Sequence, residues 1–272
     1  MTIILREKEI LRKRSIEYRG RELFNTEEEN KGILKMVNTE NAKTGCLICG
    51  EDIIYLEKAE LMKCAVCGKE EKSTAVCRNG HYICDACHAD AAYARIKYVC
   101  LNTDSKNPVE ILEEIAASPS VHTHGPEYHV IVAASLLTAY HNAGGDIDLQ
   151  AALDAAEMRG KKIPGGFCGL AGSCGAGLSA GIFLSAALKT TPLSKENWGL
   201  GMQLTSECLA EIGKTGGPRC CRRDSCASIK TAVRFVNERL GVCMELPEKI
   251  ICSHSDENRE CLKEKCPYFP RK

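Results

Sequence analysis

Two short turns, Cys46-Leu47-Ile48-Cys49-Gly50 and Cys64-Ala65-Val66-Cys67-Gly68, constrain this chain more than anything else in it, and a third ligand-rich run carries Cys77, His81, Cys84 and Cys87. A Cys-x-x-Cys-Gly turn lets two thiolates and the following backbone amides face one ion, and eight such ligands fill two tetrahedral sites. Residues 45–105 are therefore expected to fold around two zinc ions as a treble-clef or ribbon-like module. Two partitions of the ligands are open. In chain order, Cys46, Cys49, Cys64 and Cys67 share one ion and Cys77, His81, Cys84 and Cys87 the other. The interleaved alternative pairs Cys46, Cys49, Cys77 and His81, and separately Cys64, Cys67, Cys84 and Cys87. It is preferred because Cys84 and Cys87 then sit on the first turn of a helix over 85–96 and meet the opposing knuckle. Closed sites of this kind hold a fold together and do no chemistry.

The segment from Cys64 to Cys87 resembles the first six ligands of a RING finger in spacing, but the closing cysteine pair is missing and a ubiquitin-ligase reading fails on its own pattern. The chain has 18 cysteines in 272 residues and no N-terminal apolar run with a cleavage site. At that density in a reducing cytoplasm, cysteines read as metal ligands and redox thiols, and thiols in such number suit an anaerobe. Lys plus Arg and Asp plus Glu stand at 36 each, so no net field gathers nucleic acid or an anionic membrane surface. The longest apolar run, near 130–137, is far too short to span a bilayer. Neither nucleic acid nor membrane is expected as a main partner.

Four regions follow from the texture: a charged arm over 1–44, the knuckle module over 45–105, a helical domain over 106–245 and a cysteine-rich tail over 246–272. Apolar spacings of three and four predict helices over 108–117, 127–142, 149–158, 175–188, 195–212 and 225–240, with Asp148, Ser194 and Asp224 as N-caps. The fold class is mainly α, a small metal-binding module followed by an all-α domain. The helix over 175–187 is rich in Gly, Ala and Ser on nearly every face, so neighbours approach it closely and it is expected at the centre.

The chemistry concentrates in two glycine-rich loops of that domain. One reads Gly165-Gly166-Phe167-Cys168-Gly169 and runs on to Ser173-Cys174-Gly175; the other reads Gly216-Gly217-Pro218-Arg219-Cys220-Cys221-Arg222-Arg223-Asp224. Each precedes a helix, where the positive dipole end and free N–H groups favour thiolate. Cys168, Cys174, Cys220 and Cys221 are thus candidate catalytic or redox thiols. Because adjacent cysteines seldom pair with each other, Cys220 and Cys221 should point to different partners, one of them toward Cys168 or Cys174. Arg219, Arg222 and Arg223 would hold a small anionic ligand. In His122-Thr123-His124-Gly125-Pro126-Glu127-Tyr128-His129, His124 and His129 are candidate proton carriers. In the tail, Cys252, Cys261 and Cys266-Pro267 echo the Cys-Pro ending of iron–sulfur ligand runs. Their fourth ligand stays open between His254, Cys243 and a loop cysteine, and both zinc and an iron–sulfur cluster suit the thiolates.

From Cys46 onward the chain resembles an uncharacterised family of anaerobic microbes, common in methanogenic archaea, in which cysteine-rich knuckles precede a helical domain. The residues carrying the resemblance are Cys46-Leu47-Ile48-Cys49-Gly50, Asn79-Gly80-His81-Tyr82-Ile83-Cys84-Asp85-Ala86-Cys87, His124-Gly125-Pro126-Glu127-Tyr128-His129, Gly165-Gly166-Phe167-Cys168-Gly169 and Gly216-Gly217-Pro218-Arg219-Cys220-Cys221. It implies no activity, since the family is a domain of unknown function. More distantly, Cys174-Gly175-Ala176 with Cys208 beyond it is similar to small helical redox proteins named for a Cys, Gly-Cys-Ala-x-x-Gly, Cys, Cys pattern, with the order Cys-Gly-Ala in place of Gly-Cys-Ala.

These readings converge on a cytoplasmic metal-binding redox or sulfur-handling protein of anaerobic metabolism, serving a redox or metabolic partner protein. Two rivals remain: an iron–sulfur-dependent lyase or desulfidase acting on a small anionic substrate, and a zinc-stabilised adaptor between proteins. Nucleotide-binding loops and a serine-hydrolase elbow are absent from the sequence.

Overall fold

A computed structural model describes residues 45–271, so the expected charged arm over 1–44 lies outside the described residues. The chain enters through the Cys46 knuckle and forms a two-stranded antiparallel hairpin, β1 (Ile53–Lys63) and β2 (Glu70–Cys77), in which Ile53 faces Cys77 and Lys63 faces Glu70. The register breaks between Tyr55 and Glu60. The Cys64 knuckle forms the turn of this hairpin, and the pairing of its open end brings Cys77 beside the Cys46 knuckle. Nearly every side chain of β1 is exposed, which is why no apolar alternation announced the strands.

Eight helices follow: α1 (Asp85–Leu101), α2 (Pro108–Ala116), α3 (Tyr128–Asn142), α4 (Leu149–Gly160), α5 (Phe167–Ala171), α6 (Gly175–Ala187), α7 (Lys195–Thr215) and α8 (Cys221–Arg239), then a 3-10 turn, Lys263–Lys265. Local chemistry sets several of the starts. Asn107 accepts from the Val109 amide at 3.0 Å with Pro108 opening α2, and Asp148 accepts from the Ala151 amide at 3.0 Å at the head of α4. Ser194 caps α7 by position only, without a side-chain bond. Asp224 is no cap: α8 begins earlier than its apolar spacing predicts, at Cys221, with Cys220 in the cap position. The five-residue α5 buries nothing, and so short a turn leaves no periodicity to read.

Helices α3 and α6 form the centre. From Tyr128 to Tyr140 every residue of α3 is buried, and α6 packs on α3, α4, α7 and α8. Ile131, Leu136, Leu137, Phe183, Leu184, Leu204 and Ile229 are fully enclosed, each worth roughly 1.5–3 kcal/mol of burial. The heads of α3, α6 and α8 come together at one end of this core. No helix of the described residues is long and apolar enough to cross a membrane.

The tail folds back onto α2 and α8. Its Cys252 amide donates to the Tyr268 carbonyl at 2.7 Å, and Ser253 and His254 reach Glu113 of α2 at 3.3 and 3.6 Å.

Candidate functional site

The knuckle residues gather into two quartets, Cys46, Cys49, Cys77 and His81, and Cys64, Cys67, Cys84 and Cys87, and within each the ligating atoms all lie within 4.8 Å of one another. The knuckles share one turn: the Gly50 amide donates to the Cys46 carbonyl at 2.8 Å, and Gly68 to Cys64 at 2.9 Å. Both glycines take positive φ, 77° and 72°, which a side chain would oppose. Cys49 Sγ lies 3.4 Å from Cys77 Sγ and 3.3 Å from His81 Nδ1, and Cys67 Sγ lies 3.6 Å from Cys84 Sγ. A tetrahedron of thiolates at the usual zinc–sulfur bond has edges of about 3.8 Å, so these spacings suit a single ion. Backbone amides feed the sulfurs. The Glu51 amide leads in bringing the Cys49 thiol down to about 6. For Cys64, burial opposes ionisation, but the amides of Cys67, Cys84 and Val66 outweigh it and the thiol falls to about 6 as well. These clusters could hold metal ions.

At the shared end of α3, α6 and α8 lies a cavity of about 260 Å³, lined among others by Cys168, Cys174, Cys221, His124, His129 and Arg219. Both glycine-rich loops and the histidine segment meet here. His129 donates from Nδ1 to the Ile163 carbonyl at 3.1 Å, which leaves Nε2 as the nitrogen with a free lone pair. Its ring lies so close over Gly175 that a Cβ there would collide with Cδ2 and Nε2, so the imidazole sits beside the head of α6, next to Cys174. Burial lowers the His129 pKa and keeps the ring neutral at neutral pH.

Cys174 and Cys221 are not activated as their helix-terminal positions suggested. Burial pushes Cys174 up to about 11, with the Asp224 carboxylate adding to the effect, against the amides of Ala176 and Gly177. Burial likewise pushes Cys221 up to about 12. The Cys174 thiol approaches Asp224 Oδ2 at 3.8 Å, and Asp224 is itself raised by burial although Arg223 opposes that shift. Desolvation outweighs the helix dipole here. A cation in the cavity would reverse the balance, since metal binding displaces thiol protons.

A second, smaller cavity of about 30 Å³ lies on the other side of the head of α8, lined by Cys220, Cys226, Cys252, Cys261 and Cys266 together with His254, Asn258 and Tyr268. The Cys252 and Cys261 sulfurs accept amide hydrogens two residues on, from His254 and Lys263, each at 3.4 Å. The knuckle cysteines Cys46 and Cys77 are held in the same way, by Ile48 at 3.4 Å and Asn79 at 3.3 Å. Asn258 joins the two cavities: its Oδ1 lies 3.1 Å from His124 Nε2 and its Nδ2 donates to Cys220 Sγ at 3.6 Å.

Of the four candidate thiols, Cys168, Cys174 and Cys221 line the larger cavity, while Cys220, the extended cap residue, lines the tail cavity. One expected grouping is corrected. Of the three arginines expected to hold an anion, Arg222 and Arg223 are buried and committed to the protein. Arg222 bonds Glu113 at 3.0 Å and the Ala116 carbonyl; Arg223 bonds Asp224 at 2.9 Å and the carbonyls of Gly216 and Pro218 at 2.9 and 3.1 Å. Arg219 alone of the three lines the larger cavity. Sequence reading also passed over Asp224 as a site residue, taking it for a cap, and over Asn258 in a polar stretch with no pattern of its own.

Residues 96–269, more than half of the chain, match the sequence profile of the family of unknown function DUF5714, and the chain belongs to that family. No curated protein and no solved structure matches it.

Proposed function

We propose that this chain is a cytoplasmic metallo-redox protein of anaerobic metabolism that moves electrons or sulfur for a partner enzyme through the thiols of the larger cavity. The observation that carries the reading is the convergence of Cys168, Cys174 and Cys221 with Asp224, His129, His124 and Arg219 around one space of about 260 Å³. The knuckle quartets hold two structural zinc ions. Cys174 and Cys221 are the resting dithiol, with the Asp224 carboxylate and the neutral His129 ring as the groups that take a proton when a thiol is called on to react. Arg219 holds an anionic group at the mouth.

In this reading Cys220, Cys252, Cys261 and Cys266, which line the tail cavity, are the ligands of an iron–sulfur cluster, for which the space of about 30 Å³ must widen. Among the described residues these four do not form a single-ion group like the knuckle quartets. Thiolates on a multi-iron cluster stand farther apart than those on one ion, because each binds a different iron. Amide N–H bonds to sulfur, the guanidiniums of Arg222 and Arg223 and the cover of Tyr268 and Phe269 suit its negative charge and need for a dry site. When bound, the cluster supplies one-electron chemistry. The His124–Asn258–Cys220 contacts, which join the two cavities, support an exchange between the thiols and that cluster.

The test is alkylation mapping of anaerobically purified protein before and after mild oxidation. Loss of two alkylatable thiols among Cys168, Cys174 and Cys221 is expected; three thiols that stay free would end the redox reading. A lyase acting on a small anionic thiol or hydroxy acid is the second reading, favoured by His129 Nε2 and Arg219 sharing the cavity. It requires Cys168→Ser to abolish turnover while the fold stays intact.

A further inference from the structure

Outside both cysteine cavities, His88, His122 and Glu127 bring three ligand atoms within 4.8 Å of one another. His88 lies in the first turn of α1, one residue past Cys87. His122 and Glu127 flank the loop that leads into α3. The two imidazoles stack with centroids 4.2 Å apart, and His122 Nδ1 meets Glu127 Oε1 at 2.5 Å. Glu127 is 2% exposed, and its second oxygen, Oε2, is buried with no partner among the described residues; His88 Nδ1 is in the same condition. A buried carboxylate oxygen and a buried ring nitrogen left unpaired each cost free energy that native structures rarely tolerate. One shared cation removes both costs.

We infer that His88, His122 and Glu127 form a further metal site, with ligands distinct from those of the knuckles and the cysteine cavities, for a first-row divalent cation such as zinc or ferrous iron. Two imidazoles and one carboxylate are a donor set that takes these ions and leaves coordination positions open. The open side has room in front of it: His88 and His122, with Pro119 and the knuckle residues Cys46, Cys77 and His81, line a cavity of about 280 Å³ between the knuckle module and the loop that precedes α3. Water or a small anion there completes the coordination. The site ties the knuckle helix α1 to the loop whose next histidine, His124, lines the thiol cavity.

Cobalt(II) is the probe, added to the full chain stripped of metal under reducing, oxygen-free conditions. Cobalt on thiolates gives intense charge-transfer bands in the near ultraviolet together with strong visible bands, whereas cobalt on nitrogen and oxygen gives weaker visible bands with no such charge transfer. Wild-type protein is expected to hold about one more cobalt per chain than His122→Ala, and the spectrum of wild type minus His122→Ala, or minus Glu127→Gln, should show visible bands without a near-ultraviolet thiolate band. The His122 side chain is 55% exposed but pairs with the buried Glu127 carboxylate, so His122→Asn, whose side-chain amide still donates to that carboxylate, decides the matter where His122→Ala or Glu127→Gln does not fold. Equal cobalt content in wild type and a folded His122 variant, or a near-ultraviolet thiolate band in the difference spectrum, overturns the site.

Discussion

Cys220 and Cys221 are consecutive in the chain, yet their sulfurs line different cavities: Cys221 faces Cys168 and Cys174, while Cys220 faces Cys252, Cys261 and Cys266. The backbone explains the parting. Cys220 is the extended N-cap of α8, at φ −147° and ψ 104°, and Cys221 is the first helical residue, so the chain changes direction between them. One turn therefore lines two cavities.

The hairpin should depend on its metal. β1 buries almost nothing, and two-stranded hairpins are marginal without a packed face. Ions in sites of this type supply on the order of 10–16 kcal/mol of folding free energy. Chelation at neutral pH should bring amide exchange over 53–77 to the rate of an unfolded chain while α3 and α6 remain protected, as read by hydrogen–deuterium exchange mass spectrometry.

Alkaline pH should destabilise the metal-free protein. The thiols of Cys174, Cys221, Cys208 and Cys100 lie at about 11, 12, 12 and 12 when folded, each raised first by burial, against an ordinary value of 9.0. Below pH 9 both states hold the proton and nothing is lost. Above it the unfolded chain ionises first, so stability falls as pH rises, by about 1.4 kcal/mol per thiol at pH 10. Thermal melts of apo protein at pH 8 and pH 10 read the difference directly; a melting temperature unchanged between them would contradict the burial of these thiols.

Gly175 leaves no room for a methyl group against the His129 ring. Gly175→Ala should cost about 1–3 kcal/mol, the range for overpacking, and displace the imidazole from the cavity. A lowered melting temperature together with a shifted His129 imidazole resonance in NMR spectra is the expected pair of readouts.

The arginines should separate by function. Arg222→Ala removes a buried guanidinium that bonds Glu113 and the Ala116 carbonyl, and should cost about 1–3 kcal/mol in a denaturant titration, since Glu113 is about one-third exposed and keeps Ser253 and His254. Arg219, half exposed and facing only Glu260 at 3.9 Å, should cost less than about 0.5 kcal/mol when changed to Ala, while binding of small carboxylates or phosphate weakens.

Much of this was legible in the sequence because the physics was local. Cys-x-x-Cys-Gly fixes a turn, Asp148 caps the helix it precedes, and the small residues of α6 mark it as a helix that others pack against. What was not legible depended on distance. The exposed hairpin has no apolar period, and the start of α8 is set by a cap without a side-chain bond. The thiol pKa values turned on burial and on Asp224, fifty residues from Cys174. The commitment of Arg222 to Glu113 spans 109 residues and that of Asn258 to His124 spans 134, separations over which no local pattern carries information. His88 belonged to no pattern until the loop at His122 came back to it.

Iron and acid-labile sulfide in anaerobically purified Cys220→Ala and Cys221→Ala, measured beside wild type, test the central division of labour most directly. Wild type and Cys221→Ala should each carry about four iron and about four sulfide per chain, and Cys220→Ala should carry less or none. Wild type without iron, or iron lost from Cys221→Ala and retained by Cys220→Ala, would contradict the assignment of the tail cavity to the cluster and of the larger cavity to free thiols.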